Sequence, residues 1–409
     1  MINKHMQDRR ETDQTVCKHC GSADIVRNGF ARRIRADHQL YKCRSCKRQF
    51  TVRLASRVSY VGIGIMPFDA PERPPDGFSW ASYNEAQTKE KLLFLDILGD
   101  LCAQLPEEPP NAIGRPRARI REMAFCMAAK LYEGLSSRRA TSDLQIAMQK
   151  GYLRSVPHFN TVLKYFNDPA MSQMLYALIT LSALPLREFE TTFAVDASGL
   201  SSAFYSRWFD YRFGNLDGKQ GKAHDWIKIH VICGVKTNIV AAIKVTDGKA
   251  GDSPQFPELL RKAAKHFKIS EVCADKGYSS RLNMDTAFEV GAVPYIAFKE
   301  NATGKALGSS AWKRMFHYYQ FRREEFMARY HQRSNVESTF SMLKRKFSTK
   351  LMLKKDVGQL NEALAMVLCH NICVLAKEAI QNEVPLDFEG SAHLVEGLHI
   401  NPDIPRQKV

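Results

Sequence analysis

At Glu190 the sequence changes period. Between Arg115 and Ala183 apolar residues recur at helical spacing, with Ile120, Met123, Ala124, Met127, Ala128 and Leu131 on one stripe. Beyond Glu190 three short β-rich runs follow one another, TTFAVDAS, WIKIHVICGV and NIVAAIKVT, each bounded by Gly, Asn, Asp or Lys. The pattern then alternates. It reads as a helix from Pro254 to about Phe267, a strand at Glu271 to Ala274, a helix from Arg281 to Val290 and a strand at Val293 to Phe298. The order βββαβαβ, leading into further helices, predicts an α/β domain: a mixed sheet covered by helices on its faces.

The chain has 409 residues and is 44% hydrophobic, enough for two or three domains and a sizeable core. Its 59 Lys and Arg against 43 Asp and Glu leave a net charge of +16. A surplus of that size favours a polyanionic partner, because each cation that neutralises a phosphate releases condensed counterions. Nucleic acid is the first candidate. A membrane surface is the competitor, but no apolar stretch is read as approaching the roughly 20 residues of a span, and the charged N-terminus lacks a signal-peptide core. The chain is therefore expected to stay where it is made, in the cytoplasm, with no membrane partner.

Two breaks divide the N-terminal half. PFDAPERPPD, from Pro67 to Asp76, cannot continue a helix or a central strand and reads as a linker. Leu92, Leu93, Leu95, Leu98 and Leu101 then recur at helical spacing up to PEEPP, which starts at Pro106. The resulting segments are 1–58, 59–110 (linker and helix), 111–185 (helical), 186–350 (the α/β domain) and 351–409 (a C-terminal helix and tail). Gly62 and Gly64 form a GxG without the strand–turn–helix context of a phosphate loop.

Of the ten cysteines, four form close pairs. CKHC (Cys17, Cys20) and CRSC (Cys43, Cys46) give C-x2-C twice at ribbon spacing, so that four thiolates can converge in the tetrahedron Zn²⁺ accepts. Four protein ligands leave no open position for chemistry, so the zinc is structural. Arg27, Arg32, Arg33, Arg35, Lys42, Arg44, Lys47 and Arg48 crowd this segment with Tyr41 and Phe50 among them, a surface suited to DNA phosphates. The run CKHCGSADIVRNGF…QLYKCRSCKRQFT resembles the zinc-ribbon end domain of bacterial insertion-sequence proteins. The other six cysteines are scattered through apolar segments and read as reduced thiols.

Residues Gly134 to Asn167 hold two short helical stretches separated by a turn around Gly151 to Val156, with Pro157 placed to open the second. On that second helix Phe159, Val162, Leu163 and Phe166 can face a core, leaving His158, Asn160, Thr161 and Lys164 outward. Two readings stand: a helix-turn-helix whose outward residues read a major groove, or a plain helical pair packed on the α/β domain.

Asp196 ends the strand-like run FAVD, and Asp275 ends EVCAD in the same way. Either residue alone reads as a cap for the next turn. The third acid changes the weight. In YHQRSNVESTFSMLKRKF, from Tyr330, a spacing of about 100° per residue brings Tyr330, Arg333, Glu337 and Lys344 within about 60° of one another. Val336, Phe340, Leu343 and Phe347 form the adjoining apolar stripe. That stripe can pack the helix on the sheet and hold Glu337 at its edge. Three carboxylates together repel unless cations neutralise them, and hard oxygens suit Mg²⁺ or Mn²⁺. Two such ions can activate an attacking oxygen and stabilise the leaving oxygen of a phosphodiester. Arg333 and Lys344 are placed to grip phosphates beside the cut.

Y-x2-R-x3-E-x6-K, filled by Tyr330, Arg333, Glu337 and Lys344, resembles the Tyr-Arg-Glu-Lys signature of bacterial insertion-sequence DDE transposases. The resemblance spans roughly Phe193 to Lys346 and includes TFAVDASG, TDGKAGDSPQF and CADKGYSS. It implies an RNase H-like catalytic fold, with Asp196, Asp275 and Glu337 as the metal-binding triad and Tyr330, Arg333 and Lys344 at the transposon end. Lys276 and Lys299 could approach the DNA backbone or be solvated. Asp252 matches a recurrent position but reads first as the N-cap of the following helix; Trp312 lies where relatives stack a displaced base but reads first as core. His331 and the Cys369, His370, Cys373 group suggest metal ligands, but Leu364, Val367, Leu368 and Ile372 around the latter read as simple packing. About sixty residues separate Asp275 from Glu337, room for a small excursion and a helix but not for a large β-rich insertion.

The expected function is therefore DNA transposition: water attacks at the transposon end, and the freed 3′-hydroxyl attacks target DNA. Double-stranded DNA is the partner, a homodimer the expected assembly that pairs two ends, and the nucleoid the place of action. The rivals are a non-catalytic DNA-binding regulator or domesticated relic, and a nuclease of the same fold that cuts without joining.

Overall fold

A computed structural model describes residues 16–30, 38–53, 79–106, 117–202 and 226–395. Arg32, Arg33 and Arg35, the Pro67 to Asp76 run, Gly62 and Gly64, and the breaker run beyond Pro106 lie outside these residues. The chain divides into two compact units, Met1–Phe78 and Ser79–Val409. The segments 111–185, 186–350 and 351–409 thus share one unit.

In the first unit β1 (Ile25–Phe30), β2 (His38–Cys43) and β3 (Gln49–Arg53) form an antiparallel sheet in that order. Among the described residues its buried core holds Cys17, Cys43 and Phe50, with Tyr41 stacked on Phe50 at 5.8 Å.

In the second unit five strands form one sheet: β4 (Thr192–Ser201), β5 (Trp226–Gly234), β6 (Val240–Asp247), β7 (Glu271–Ala274) and β8 (Val293–Ile296). The order is β6-β5-β4-β7-β8; β4, β5 and β6 are antiparallel neighbours, while β7 and β8 run parallel to β4. This is the mixed α/β sheet that the periodicity predicts. Phe193, Ala194 and Val195 are all buried, as expected of a central strand covered on both faces. The crossover helices are α6 (Phe256–Ala264), entered by a 3-10 turn at Ser253–Gln255, and α7 (Arg281–Glu289).

The helices before the sheet are α1 (Trp80–Ala103), α2 (Ile120–Glu133), α3 (Ala140–Gln149), α4 (Phe159–Phe166) and α5 (Pro169–Ala183). After it come α8 (Ser310–Phe321), α9 (Arg323–Tyr330), α10 (Ser334–Phe347), α11 (Asp356–Gln381) and the short α12 (Glu389–Ala392). Two stretches are apolar and long enough to cross a membrane by length and composition, Pro169–Leu186 and Asp356–Gln381, which corrects the expectation that none approaches that length. They are 61% and 78% buried, the pattern of core helices.

α11 joins the helical region to the sheet. It packs on α1, α2, α4, α5, α10 and β6, and two of its buried amides are hydrogen-bonded throughout. Asn361 donates to the carbonyls of Phe166 and Asp168 and accepts from the Ser172 hydroxyl. Asn371 accepts from the Val240 N–H at 2.9 Å and donates to the Val240 carbonyl at 2.9 Å, so its amide serves edge strand β6 as a neighbouring strand would. His370 Nε2 donates to the Asn238 carbonyl at 2.9 Å, and Cys369 Sγ lies 3.3 Å from the Ala128 carbonyl, so this group packs, as the sequence suggested.

Replacing Asn371 by Leu strands both backbone groups of Val240, and each unpaired buried group costs about 1–3 kcal/mol. Urea unfolding should show a loss of about 2–5 kcal/mol; a loss below about 0.5 kcal/mol would contradict this role. Burial also holds His370 below its ordinary value, so it is neutral in the fold. The unfolded chain takes up a proton as pH falls below about 6.5, so the stability that neutral His370 contributes is complete above that pH and is lost as pH falls further. The stability advantage of wild type over His370→Gln should therefore shrink between pH 7 and pH 5; a constant difference would refute it.

Candidate functional site

Two knuckles build the first site. Cys17 and Cys20 precede β1, and Cys43 and Cys46 flank the turn after β2. Each knuckle is followed by a residue at positive φ, Gly21 at 73° and Lys47 at 63°, which lets the chain curl around the thiols. The Sγ atoms of Cys17 and Cys46 are 3.6 Å apart, and those of Cys20 and Cys43 3.7 Å. All four lie within 4.8 Å of one another, and none is in a disulfide. A Zn–S bond of about 2.3 Å implies a tetrahedron with an edge of about 3.8 Å, so this group is compatible with a zinc ribbon. The Cys46 N–H reaches Cys43 Sγ at 3.5 Å, a backbone contact that favours the thiolate a metal binds. Lys42, Arg44, Lys47 and Arg48 are exposed around it.

The second site forms where β7 stops and β4 continues. The parallel register sets Val195 beside Ala274; the next residues differ from the sequence expectation in that Asp196 stays within β4, which runs on to Ser201, while Asp275 lies just past the end of β7. Asp275 turns the chain: its side chain accepts from the Lys276 N–H at 2.7 Å and caps a 3-10 turn, Lys276–Tyr278. Asp196 is half-buried. Burial pushes its carboxyl up, the Ala197 backbone N–H opposes this, Asp275 adds to it, Arg333 opposes it and Asp252 adds to it again.

The third acid arrives differently from the sequence expectation. Tyr330, Arg333 and Glu337 are not on one continuous α-helix: α9 ends at Tyr330, His331–Arg333 form a 3-10 turn, and α10 starts at Ser334. The tighter turn still brings the residues together. The Tyr330 hydroxyl donates to Asp275 Oδ1 at 3.4 Å, the Arg333 guanidinium stands 5.4 Å from the Tyr330 ring, and its Nη1 donates to Glu337 Oε1 at 3.2 Å. Burial works against the Arg333 charge, and Tyr330, Asp275 and Glu337 outweigh it. Arg333 is thus the cation among three acids. The Glu337 side chain remains 62% exposed, and among the described residues the acids do not form a cluster as tight as that of the cysteines. Val336, Phe340 and Leu343 are buried, with Phe347 partly so, as the apolar stripe predicts.

Lys344 does not pair with Glu337. Its Nζ donates to the Ser198 hydroxyl at 2.6 Å, two residues beyond Asp196 on the same face of β4. The period-2 rule makes Ser198 readable as a site residue, although the sequence reading did not single it out. Asp252 corrects an expectation: its side chain does not cap the following turn. It accepts from Lys228 Nζ at 2.9 Å and lies 3.7 Å from the Nδ1 of buried His230.

Lys276 and Lys299 are exposed, the first beside Asp275 and the second after β8. Trp312 is core: it is buried and its indole N–H donates to the Thr303 carbonyl at 2.8 Å. Asn160 and Lys164 are exposed on α4 and His158 at its N-cap, with Val162 and Phe166 buried. The connection from α3 to α4, residues 150–158, is longer than the three- to four-residue turn of a helix-turn-helix, and α4 packs on α2 and α11, neither of which carries a site acid.

Residues 187–372 match the family model described as a transposase DDE domain. That stretch of the chain is a transposase DDE domain. It opens just before β4 and closes within α11, so the whole sheet and all three acids lie inside it. No solved structure matches the chain. DDE transposases use divalent metals, and the donor set of this DDE domain fits one: hard oxygens of Asp196 and Asp275 stand side by side, and burial with like charge disfavours Asp196 ionisation until a cation balances it.

Two outcomes follow. Removing zinc with a chelator should abolish the hydrogen-exchange protection of the β1, β2 and β3 amides; unchanged protection would exclude a metal staple. Arg333→Gln should lower the melting temperature at low ionic strength, and millimolar Mg²⁺ should reduce that deficit. A deficit that Mg²⁺ leaves untouched would show that the acids do not share a cation.

Proposed function

We propose that this chain is a transposase that cleaves the ends of its element and transfers the freed 3′-hydroxyl to target DNA. The observation that carries this reading is that Asp196, within β4, and Asp275, just past the end of β7, follow one another's register in paired parallel strands, with Arg333 among the acids, inside a DDE domain.

Asp196, Asp275 and Glu337 would hold Mg²⁺ or Mn²⁺, which when bound supplies an activated attacking oxygen and a stabilised leaving oxygen. The chain's own residues do the rest. The Tyr330 hydroxyl steadies Asp275. Arg333 neutralises the acids in the free protein; once a cation takes that place, its forked guanidinium is available to a phosphate beside the cut. Burial holds Lys344 below its ordinary value, and its ammonium, anchored on Ser198, places a positive charge next to Asp196 on the strand. Exposed Lys276 and Lys299 face solvent where a DNA backbone can approach.

Two further surfaces extend the reading. The basic zinc ribbon is suited to phosphates and α4 presents His158, Asn160 and Lys164; these serve recognition of the transposon end. A homodimer would bring two ends together. The protein would act in the cytoplasm, on nucleoid DNA.

The test is a strand-transfer assay with Mg²⁺, using the DNA flanking the coding region as the end substrate. Wild type should cut and join. Asp196→Asn, Asp275→Asn and Glu337→Gln should each lower both steps by orders of magnitude while end binding persists. Cutting without joining would make the chain a nuclease, and specific binding without either would make it a regulator.

A further inference from the structure

The turn from β5 to β6 is built around a buried carboxylate. Glu190 is fully buried, and it accepts from the Thr237 N–H at 2.6 Å, the Thr237 hydroxyl at 2.7 Å and the Lys236 N–H at 3.3 Å. Gly234, where β5 ends, makes room for it: a Cβ there would stand 2.3 Å from Glu190 Cδ. The turn closes on Asn238, whose φ of 66° is one that glycine takes without strain. Its N–H donates to the Gly234 carbonyl at 3.1 Å, and its own carbonyl accepts from His370 on α11 at 2.9 Å. Asn238 is therefore held by partners outside α10.

The Asn238 side chain reaches the helix that carries Glu337. Its Oδ1 accepts from the Thr339 hydroxyl at 3.1 Å. Thr339 is 1% exposed, and its hydroxyl also lies 3.3 Å from the Asn335 carbonyl in its own helix and 3.4 Å from Cys233 Sγ on β5. The other ties of α10 are of different kinds. Burial of Val336, Phe340 and Leu343 is non-directional. Lys344 and Lys346 reach Ser198 and Glu90 from the far end of the helix on long flexible stems. Thr339 is short and β-branched, with few rotamers open to it in a helix, so a bond from its hydroxyl to a fixed acceptor constrains the helix backbone itself. It stands two residues from Glu337. At the rim of a helix about 10–12 Å across, a rotation of about 20° moves a side-chain head by about 2 Å, whereas a working site tolerates about 0.5 Å.

We propose that Asn238 is a positioning residue for Glu337: by accepting from Thr339 it sets the rotation of α10, and with it the place of the third acid. The inference rests on the reading of Asp196, Asp275 and Glu337 as a cation site. Asn238 touches neither DNA nor the cation in this role; it acts through Thr339 and the helix.

The experiment compares wild type, Glu337→Gln, Asn238→Gly, Thr339→Val, the double variant of the last two, and Thr339→Ser, all as zinc-loaded full-length chains. Free Mn²⁺ is followed by electron paramagnetic resonance during titration, and melting temperatures are taken without Mn²⁺. Asn238→Gly keeps the backbone conformation and removes the acceptor; Thr339→Val keeps the shape and removes the donor. Each should bind Mn²⁺ about 10-fold or more weakly than wild type, as Glu337→Gln does, with a melting temperature within about 4 °C of wild type. The double variant should bind no more weakly than the weaker single one, because both remove the same bond. Thr339→Ser keeps the hydroxyl and should bind like wild type. Wild-type affinity in Asn238→Gly, with Glu337→Gln weakened, overturns this inference alone. So do losses that multiply in the double variant, and a loss that comes with a larger fall in melting temperature, since the contact would then be structural. Equal Mn²⁺ binding by wild type and Glu337→Gln overturns the cation role of Glu337 first and the positioning role with it.

Discussion

Four residues of parallel pairing between β4 and β7 organise the second unit. Parallel neighbours cannot be joined by a tight hairpin, so the chain between them must cross over, and here it builds β5, β6 and α6 on the way. The pairing runs out at Val195 and Ala274, where β7 ends and β4 does not. Beyond that point Asp196 continues along β4 while Asp275 turns the chain into the 3-10 turn Lys276–Tyr278. The cost of placing like charges side by side in a half-buried position appears as the upward push on Asp196. Arg333 answers it in this structure.

The position of Arg333 depends on the break between α9 and α10. A continuous helix would carry Tyr330 and Arg333 along one axis with Glu337; the 3-10 turn His331–Arg333 tightens the spacing and lets Arg333 touch both the Tyr330 ring and the Glu337 carboxylate. α10 then runs along the sheet on Val336, Thr339, Phe340 and Leu343 and reaches Ser198 through Lys344. α11 packs on α10 and on β6. Its Asn371 completes the edge of β6 and its Asn361 holds the ends of α4 and α5, so that the helical region and the sheet form one body.

Much of the fold was legible because the strands are periodic and bounded by strong turn residues. TTFAVDAS, WIKIHVICGV and NIVAAIKVT became β4, β5 and β6. The cysteine spacing was legible for a similar reason: two C-x2-C knuckles can close only on each other, and the four thiols meet. Less legible were features that depend on distant partners. Asp252 looked like a cap because its neighbours in sequence are Ser253 and Pro254, but its partner Lys228 lies on another strand. The length of α11 was underestimated as a membrane-like stretch because its polar residues, Asn361, Glu362, His370 and Asn371, are all matched inside the protein.

The sequence by itself supplied two kinds of donor set: carboxylates whose hard oxygens suit a divalent cation, and four paired thiols that suit zinc. Periodicity and spacing are local properties, so both could be read along the chain. The tertiary structure decided how the acids are balanced, which strand meets which, and that Asp252 meets Lys228 instead of capping its own turn. These depend on residues far apart in sequence being buried together, where the loss of water makes each unmatched charge and donor count.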